Sequence, residues 1–132
     1  SNKVLEAAAG SDVQLYVSTF YQEGGSPEFD DGIKAWLNED STAMTNNGGN
    51  DTIAAVTAMG YDAYYVALEA LKAAGSTDAG AVKAALPGVT YTGVTGVIAF
   101  DDIGDAIRDT AYIKVADTAN SAWALETMQK AG

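Results

Sequence analysis

Asp62 and Glu69 stand two helical turns apart and would share one face of a helix, a spacing that could pair two carboxylates for acid–base work on a glycosidic bond. Lys72 falls on the same face, one turn beyond Glu69. Asp62, Tyr65, Glu69 and Lys72 therefore read as a solvated stripe with an i,i+3 ion pair, and the catalytic reading falls away. Asp101, Asp102, Asp105 and Asp109 bring carboxylates together around one turn, as a hard cation would require. They lack the alternating ligand positions and the closing glutamate of an EF-hand, whereas aspartate and glycine are what a tight turn selects. No metal site is expected there.

The glycines at 24–25, 48–49, 93 and 96 are followed by no Gly-Lys-Ser/Thr and form no GxGxxG, so no nucleotide cofactor is implied. Asn50-Asp51-Thr52 is a formal glycosylation sequon, but a three-residue pattern is a weak signal and a helix cap explains it. Among the aromatics, Trp36 and Tyr64 suit a core. Phe20-Tyr21, in a loop after a strand, and Tyr61, near a helix start, suit either a core or a ligand pocket, since α/β folds bind ligands at such ends.

Two zeros narrow the chemistry further. The chain of 132 residues has no histidine and no cysteine. Ser-His-Asp catalysis, thiolate nucleophiles, disulfides and the usual zinc sites are all excluded. Eighteen acidic residues against seven basic ones give a net charge of -11. Such a surface repels phosphate backbones and anionic lipid headgroups, so nucleic acid and a polybasic membrane grip are excluded as partners. The apolar stretch from Ala54 to Leu71 is broken by Thr57, Gly60, Asp62 and Glu69 and cannot span a membrane. No leader is visible at the start, and Ser1-Asn2 fits either a native run or a cloning remnant.

The elements follow from periodicity. Lys3 to Ala9 reads as the end of a helix stopped by Gly10, and Val13 to Ser18 alternates as a strand. Ser26-Pro27-Glu28 starts a helix whose apolar stripe is Phe29, Ile33, Trp36 and Leu37, with fraying near Asp40. A helix over 52–74, capped by Asn50 or Asp51, carries Ile53, Val56, Met59, Tyr64, Val66, Leu68 and Leu71 over well over half its circumference. It must be covered on nearly all sides, which implies a partner in cis or in trans. Gly75 ends it, Thr77 or Asp78 caps a short helix over 79–86, and Pro87-Gly88 stops that one. Val94 to Phe100 reads as a strand, Asp101 to Asp105 as a turn, and Ala111, Ile113 and Val115 as the return strand. Trp123 and Leu125 suggest one more short strand before a frayed tail.

Several of these pieces resemble a known family. They are Gln14 to Tyr21, Phe29 to Ile33, Tyr61-Asp62-Ala63, Ala67 to Asp78, Val82 to Leu86, Thr92-Gly93-Val94-Thr95-Gly96 and Phe100 to Asp105. In this order the chain resembles the C-terminal third of a type I periplasmic solute-binding protein, of the branch that binds leucine, isoleucine and valine for ABC importers. The resemblance implies a partial α/β fold of that type, with three-layer elements and a C-terminal antiparallel hairpin. It implies one fragment, residues 1–132, contributing to both lobes of a clamp: the middle helices to one, the first strand and final hairpin to the other. It implies a binding protein and no enzyme, placed in the periplasm or outside the cell, with or without a lipid anchor, with an amino-acid-like solute and a membrane permease as partners. A sensory domain of the same fold is the alternative.

In such proteins the loop and first turn leading into the Tyr-Asp-Ala helix face the cleft, which places Ile53, Ala55, Val56 and Thr57 in the site, with Tyr61 one turn on. The groups gripping the solute's carboxylate and ammonium would lie upstream of this chain. Asp117-Thr118-Ala119-Asn120 replaces the family's usual Asp-Gly turn. A chain holding parts of two lobes is expected to dimerise, by swapping or through bare edges such as Val94 to Phe100, burying Ile53, Met59, Leu68 and Leu71. Alone it is expected not to bind branched-chain amino acids.

Overall fold

The computed structural model describes residues 2–130. In chain order, helix α1 (Asn2–Ala8) and strand β1 (Tyr16–Thr19) precede four helices. These are α2 (Pro27–Glu39), α3 (Ser41–Asn46), α4 (Ala55–Ala74) and α5 (Ala79–Ala85), the last followed by a 3-10 turn at Leu86–Gly88. The strands β2 (Tyr91–Gly93), β3 (Gly96–Phe100), β4 (Ala106–Ile107), β5 (Thr110–Asp117) and β6 (Ala122–Lys130) complete the chain. The residues divide into two compact units, one of the chain up to Gln22 together with that from Asp109, the other Glu23–Arg108. The chain is mixed α/β, with one small antiparallel sheet in each unit.

In the first unit the sheet order is β1-β5-β6. Tyr16 lies opposite Val115 and Thr19 opposite Tyr112, and Ala116 lies opposite Trp123. Two expectations are corrected here. The residues read as a return strand for Val94 to Phe100 pair instead with β1 and β6. The expected frayed tail is strand as far as Lys130, because β5 is long enough to pair it throughout, Thr110 lying opposite Lys130.

In the second unit β3 is central in the order β2-β3-β4. Gly96 at φ 98° lets the chain reverse immediately before β3, so Val94 and Thr95 are a hairpin turn and not strand. The turn after β3 is tight: Asp101 N–H donates to the Asp105 carbonyl at 3.0 Å, and Asp105 N–H to the Asp101 carboxylate at 2.8 Å. That carboxylate also takes Ile103 N–H, at 3.0 Å. Pairing resumes at once, with Ala106 opposite Phe100. With a partner on each side, β3 is not the bare edge expected for dimerisation.

The core of this unit is Val66, Ala70, Val89 and Ile98, with Val82, Leu86, Tyr91 and Phe100 packed around it. Gly75 at φ 59° ends α4 and the Asp78 carboxylate caps α5 through Ala81 N–H, both as read. Other caps differ. Ser26 makes no side-chain cap bond, and α4 starts at Ala55 with no side-chain cap. Asn50 instead accepts from Thr52 N–H inside the preceding loop, at 3.0 Å. Where α2 was expected to fray, Asp40 caps α3 by accepting from Thr42 and Ala43 N–H at 2.8 and 3.0 Å.

The cover expected around α4 is incomplete within the unit, because α5 and the β2–β3 hairpin occupy one side of it. Val56 is 74% and Tyr64 62% exposed, and Trp36 on α2 is 53% exposed; Trp36 and Tyr64 are not core residues here. Ile53, at 4% exposure, is already buried within the chain and is not available to an interface between chains. Among the described residues no helix is long and apolar enough to cross a membrane.

Candidate ligand-binding cleft

Two concavities lie in the Glu23–Arg108 unit, and α4 contributes to both. The larger, of about 590 Å³, is lined by Gly25, Glu28 and Phe29 on the α2 side, and by Tyr61, Tyr91 and Gly93 on the other. The smaller, of about 300 Å³, takes Trp36 and Leu37 from α2, Ala43 from α3, Ile53 from the segment before α4 and Thr57 from its first turn. The expected site residues are thus divided. Ile53 and Thr57 share the smaller pocket, Tyr61 lies on the larger one, Ala55 is half-buried, and Val56 projects into solvent.

The wall of the larger cleft is held by a group that the sequence placed in solvent. Asp62 has no exposed surface. Its carboxylate accepts from Val94 N–H at 2.9 Å, from Thr95 N–H at 2.8 Å and from the Thr95 hydroxyl at 2.5 Å. Arg108 in turn donates to the Thr95 hydroxyl at 2.9 Å and to its carbonyl at 3.2 Å. Helical periodicity says which residues share a stripe but not what comes to lie over it. The hairpin turn covers the Asp62 end, while Glu69 and Lys72 stay exposed enough to form their ion pair at 2.6 Å. A Cβ at Gly93 would overlap the Asp62 carboxylate, so a residue without a side chain is required there. Tyr61-Asp62-Ala63 and Thr92-Gly93-Val94-Thr95-Gly96 are therefore two halves of one contact.

Next to Asp62 on α4, an aromatic series runs across the cleft. Phe29 and Tyr61 have ring centroids 4.9 Å apart, Tyr61 and Tyr65 5.0 Å, and Tyr65 and Tyr91 6.0 Å with the last pair stacked. The Tyr61 hydroxyl donates to that of Tyr65 at 3.4 Å. This bond, then burial and the charges nearby, Glu28 among them, push the Tyr61 phenol up to about 12. Burial likewise raises Tyr91, with Asp62 adding to it.

Because the folded protein holds the Tyr61 proton above the ordinary value of 10, this contribution to stability is complete below pH 10 and is lost as pH rises towards about 12. Ultraviolet titration should show Tyr61 lagging furthest, with Tyr91 also late, and Tyr65→Phe should bring Tyr61 back towards 10 by removing the acceptor. All seven tyrosines ionising together would contradict this.

Glu28, Tyr91 and the buried role of Asp62 went unread in the sequence. The signal available was the pairing of a lone helical aspartate with a glycine-threonine turn. Among the described residues no three acids gather as metal ligands, and the Asp101 carboxylate is occupied by its own turn.

No known family's sequence pattern matches the chain, and no curated protein does. Among solved structures it is similar to a leucine-binding protein from Thermotoga maritima MSB8, with a TM-score of 0.67 and 23% identity. The match covers 98% of this chain and 35% of that one. The chain therefore has a partial periplasmic-binding-protein fold, as its motifs implied, and spans about a third of the length of the protein it matches.

Proposed function

We propose that this chain is the C-terminal third of a two-lobed, extracytoplasmic solute-binding protein that captures a small amino-acid-like solute and delivers it to the permease of an ABC importer. The observation that carries the reading is the fold likeness to a leucine-binding protein, which takes in nearly all of this chain and about a third of the other. The division into two units supports a chain that contributes to both lobes. Strands β1, β5 and β6 belong to one unit, and helices α2 to α5 to the other. In this reading affinity comes from closure of the lobes around the solute, without chemistry by the protein. The full-length protein resides in the periplasm or outside the cell, free or lipid-anchored.

The solute meets Ile53, Ala55, Val56 and Thr57, with Tyr61 one turn on. The bare flank of α4 fits this reading, since a side chain as exposed as Val56 does nothing for this unit alone. In the isolated chain a second copy covers that flank, with Met59, Leu68 and Leu71 in the interface and Ile53 outside it.

Val56→Ser in the full-length protein is expected to weaken solute binding about tenfold, the worth of ~1.5 kcal/mol for one buried valine side chain. Stability should stay within about 0.5 kcal/mol of the parent, as for other exposed positions. Thr57→Ala should act in the same direction. Calorimetric titration with leucine and with other aliphatic amino acids measures the first effect. Binding as tight as the parent's in both variants would remove this helix start from the site.

A further inference from the structure

The larger cleft has a composition that its volume alone does not suggest. Three aromatic residues line it, Phe29, Tyr61 and Tyr91, and so does the exposed carboxylate of Glu28. No lysine or arginine does. Two cations of the same unit are engaged with other partners: Lys34 sits 3.3 Å from the Glu23 carboxylate, and Arg108 bonds to Thr95. The amino end of α2 also borders the cleft and would by itself attract an anion. Its first turn, however, already carries Glu28 and Asp30, so an anion arriving there meets carboxylates. The chain as a whole is at -11.

We propose that this cleft holds an organic ammonium group, seated among the rings of Phe29, Tyr61 and Tyr91 with the Glu28 carboxylate at its rim. Aromatic rings attract a cation through their negative faces, and the gain is larger for a bulky, weakly hydrated ammonium than for a small, strongly hydrated ion. The raised Tyr61 phenol keeps that ring neutral and hydrogen-bonded to Tyr65 across the physiological range. Asp62 acts as a positioning residue, because it fixes the turn that brings Gly93 to the opposite wall. The proposal shares only Tyr61 with the site of the solute-delivery reading: the rest of the cleft lies within one unit of this chain and includes neither Ile53 nor Val56.

The probe is tetramethylammonium chloride, titrated into the chain at constant ionic strength and followed by NMR. Its neutral counterpart is tert-butanol. Saturable shifts at Tyr61, Tyr91 and Gly93 are expected with tetramethylammonium, and at least ~5-fold weaker binding with tert-butanol. Tyr61→Leu should weaken tetramethylammonium about fivefold and Tyr61→Phe should leave it within about twofold, since phenylalanine keeps the ring. Glu28→Gln, at an exposed position, should cost about threefold without changing the melting temperature. Absence of saturable shifts, equal binding of tert-butanol, or a Tyr61→Leu variant that binds as the parent does would each overturn the proposal. Leucine binding by the full-length protein tests the solute-delivery reading separately.

Discussion

Asp62→Ala is expected to destabilise the Glu23–Arg108 unit by about 3–5 kcal/mol, the combined cost of several buried donors left without an acceptor at ~1–3 kcal/mol each. The carboxylate has no exposed surface and satisfies two backbone N–H groups and one hydroxyl. Truncation leaves all three donors without an acceptor and opens a void against the Gly93 backbone, where a Cβ would already touch the carboxylate. Thr95 also loses the group that orients its hydroxyl towards Arg108. Asp62→Asn separates shape from acceptor capacity. Its amide keeps the volume but turns an NH2 towards one of the donors, so it should cost about 2 kcal/mol, between the parent and alanine. Against a typical domain stability of about 5–15 kcal/mol, the alanine variant sits near the edge of folding. Urea denaturation followed by circular dichroism reads both values. A cost below about 1 kcal/mol for alanine would mean that water replaces the carboxylate at little loss, and that the turn is not held by it.

What was legible in the sequence follows the reach of the interactions involved. Gly75 and Asp78 act on their own helix ends through bonds to residues three or four positions away, and their residue types announce them. Asp40 is equally local, yet the helix it caps was missed because Ser41 to Asn46 is one short turn with little apolar pattern to mark it. The return from β3 was misplaced because β4 is only two residues long, while β5 carries a strong alternation that belongs to the other sheet. Alternation identifies a strand and is silent about its neighbour. Asp62 is the sharpest case. Its stripe was correctly composed, and Glu69 and Lys72 do pair on it, but the exposure of the stripe was decided by a turn about thirty residues downstream. The family resemblance had both motifs in hand without a reason for their pairing, and the hydrogen bonds supply that reason. The candidate site was read in part. Tyr61 does border a cleft and Ile53 with Thr57 another, whereas Glu28 looked like an ordinary first-turn acid and Tyr91 lay outside any expected strand.

Gly93→Ala should cost about 3 kcal/mol or more in the parent chain and under about 1 kcal/mol in an Asp62→Ala background, a coupling of the size seen for residues in direct contact. The reasoning is steric. Gly93 does not occupy the positive-φ region, so alanine is not excluded by backbone conformation. It lies opposite Gly96 at the end of the β2–β3 pairing, where a Cβ on a strand backbone is ordinarily harmless. The three atoms nearest to an added Cβ all belong to the Asp62 carboxylate, which the new methyl group would overlap. That carboxylate cannot swing away, because three hydrogen bonds hold it and no solvent reaches it. The turn must lift instead, and lifting stretches the bonds from Val94 and Thr95 that the carboxylate accepts. Once Asp62 is alanine those bonds are already gone and the space is free, so the added methyl fills part of the void left behind. Urea denaturation of the two single variants and the double variant closes the cycle. Additive costs would show that Gly93 is required for a reason other than Asp62, and would break the link between the two motifs.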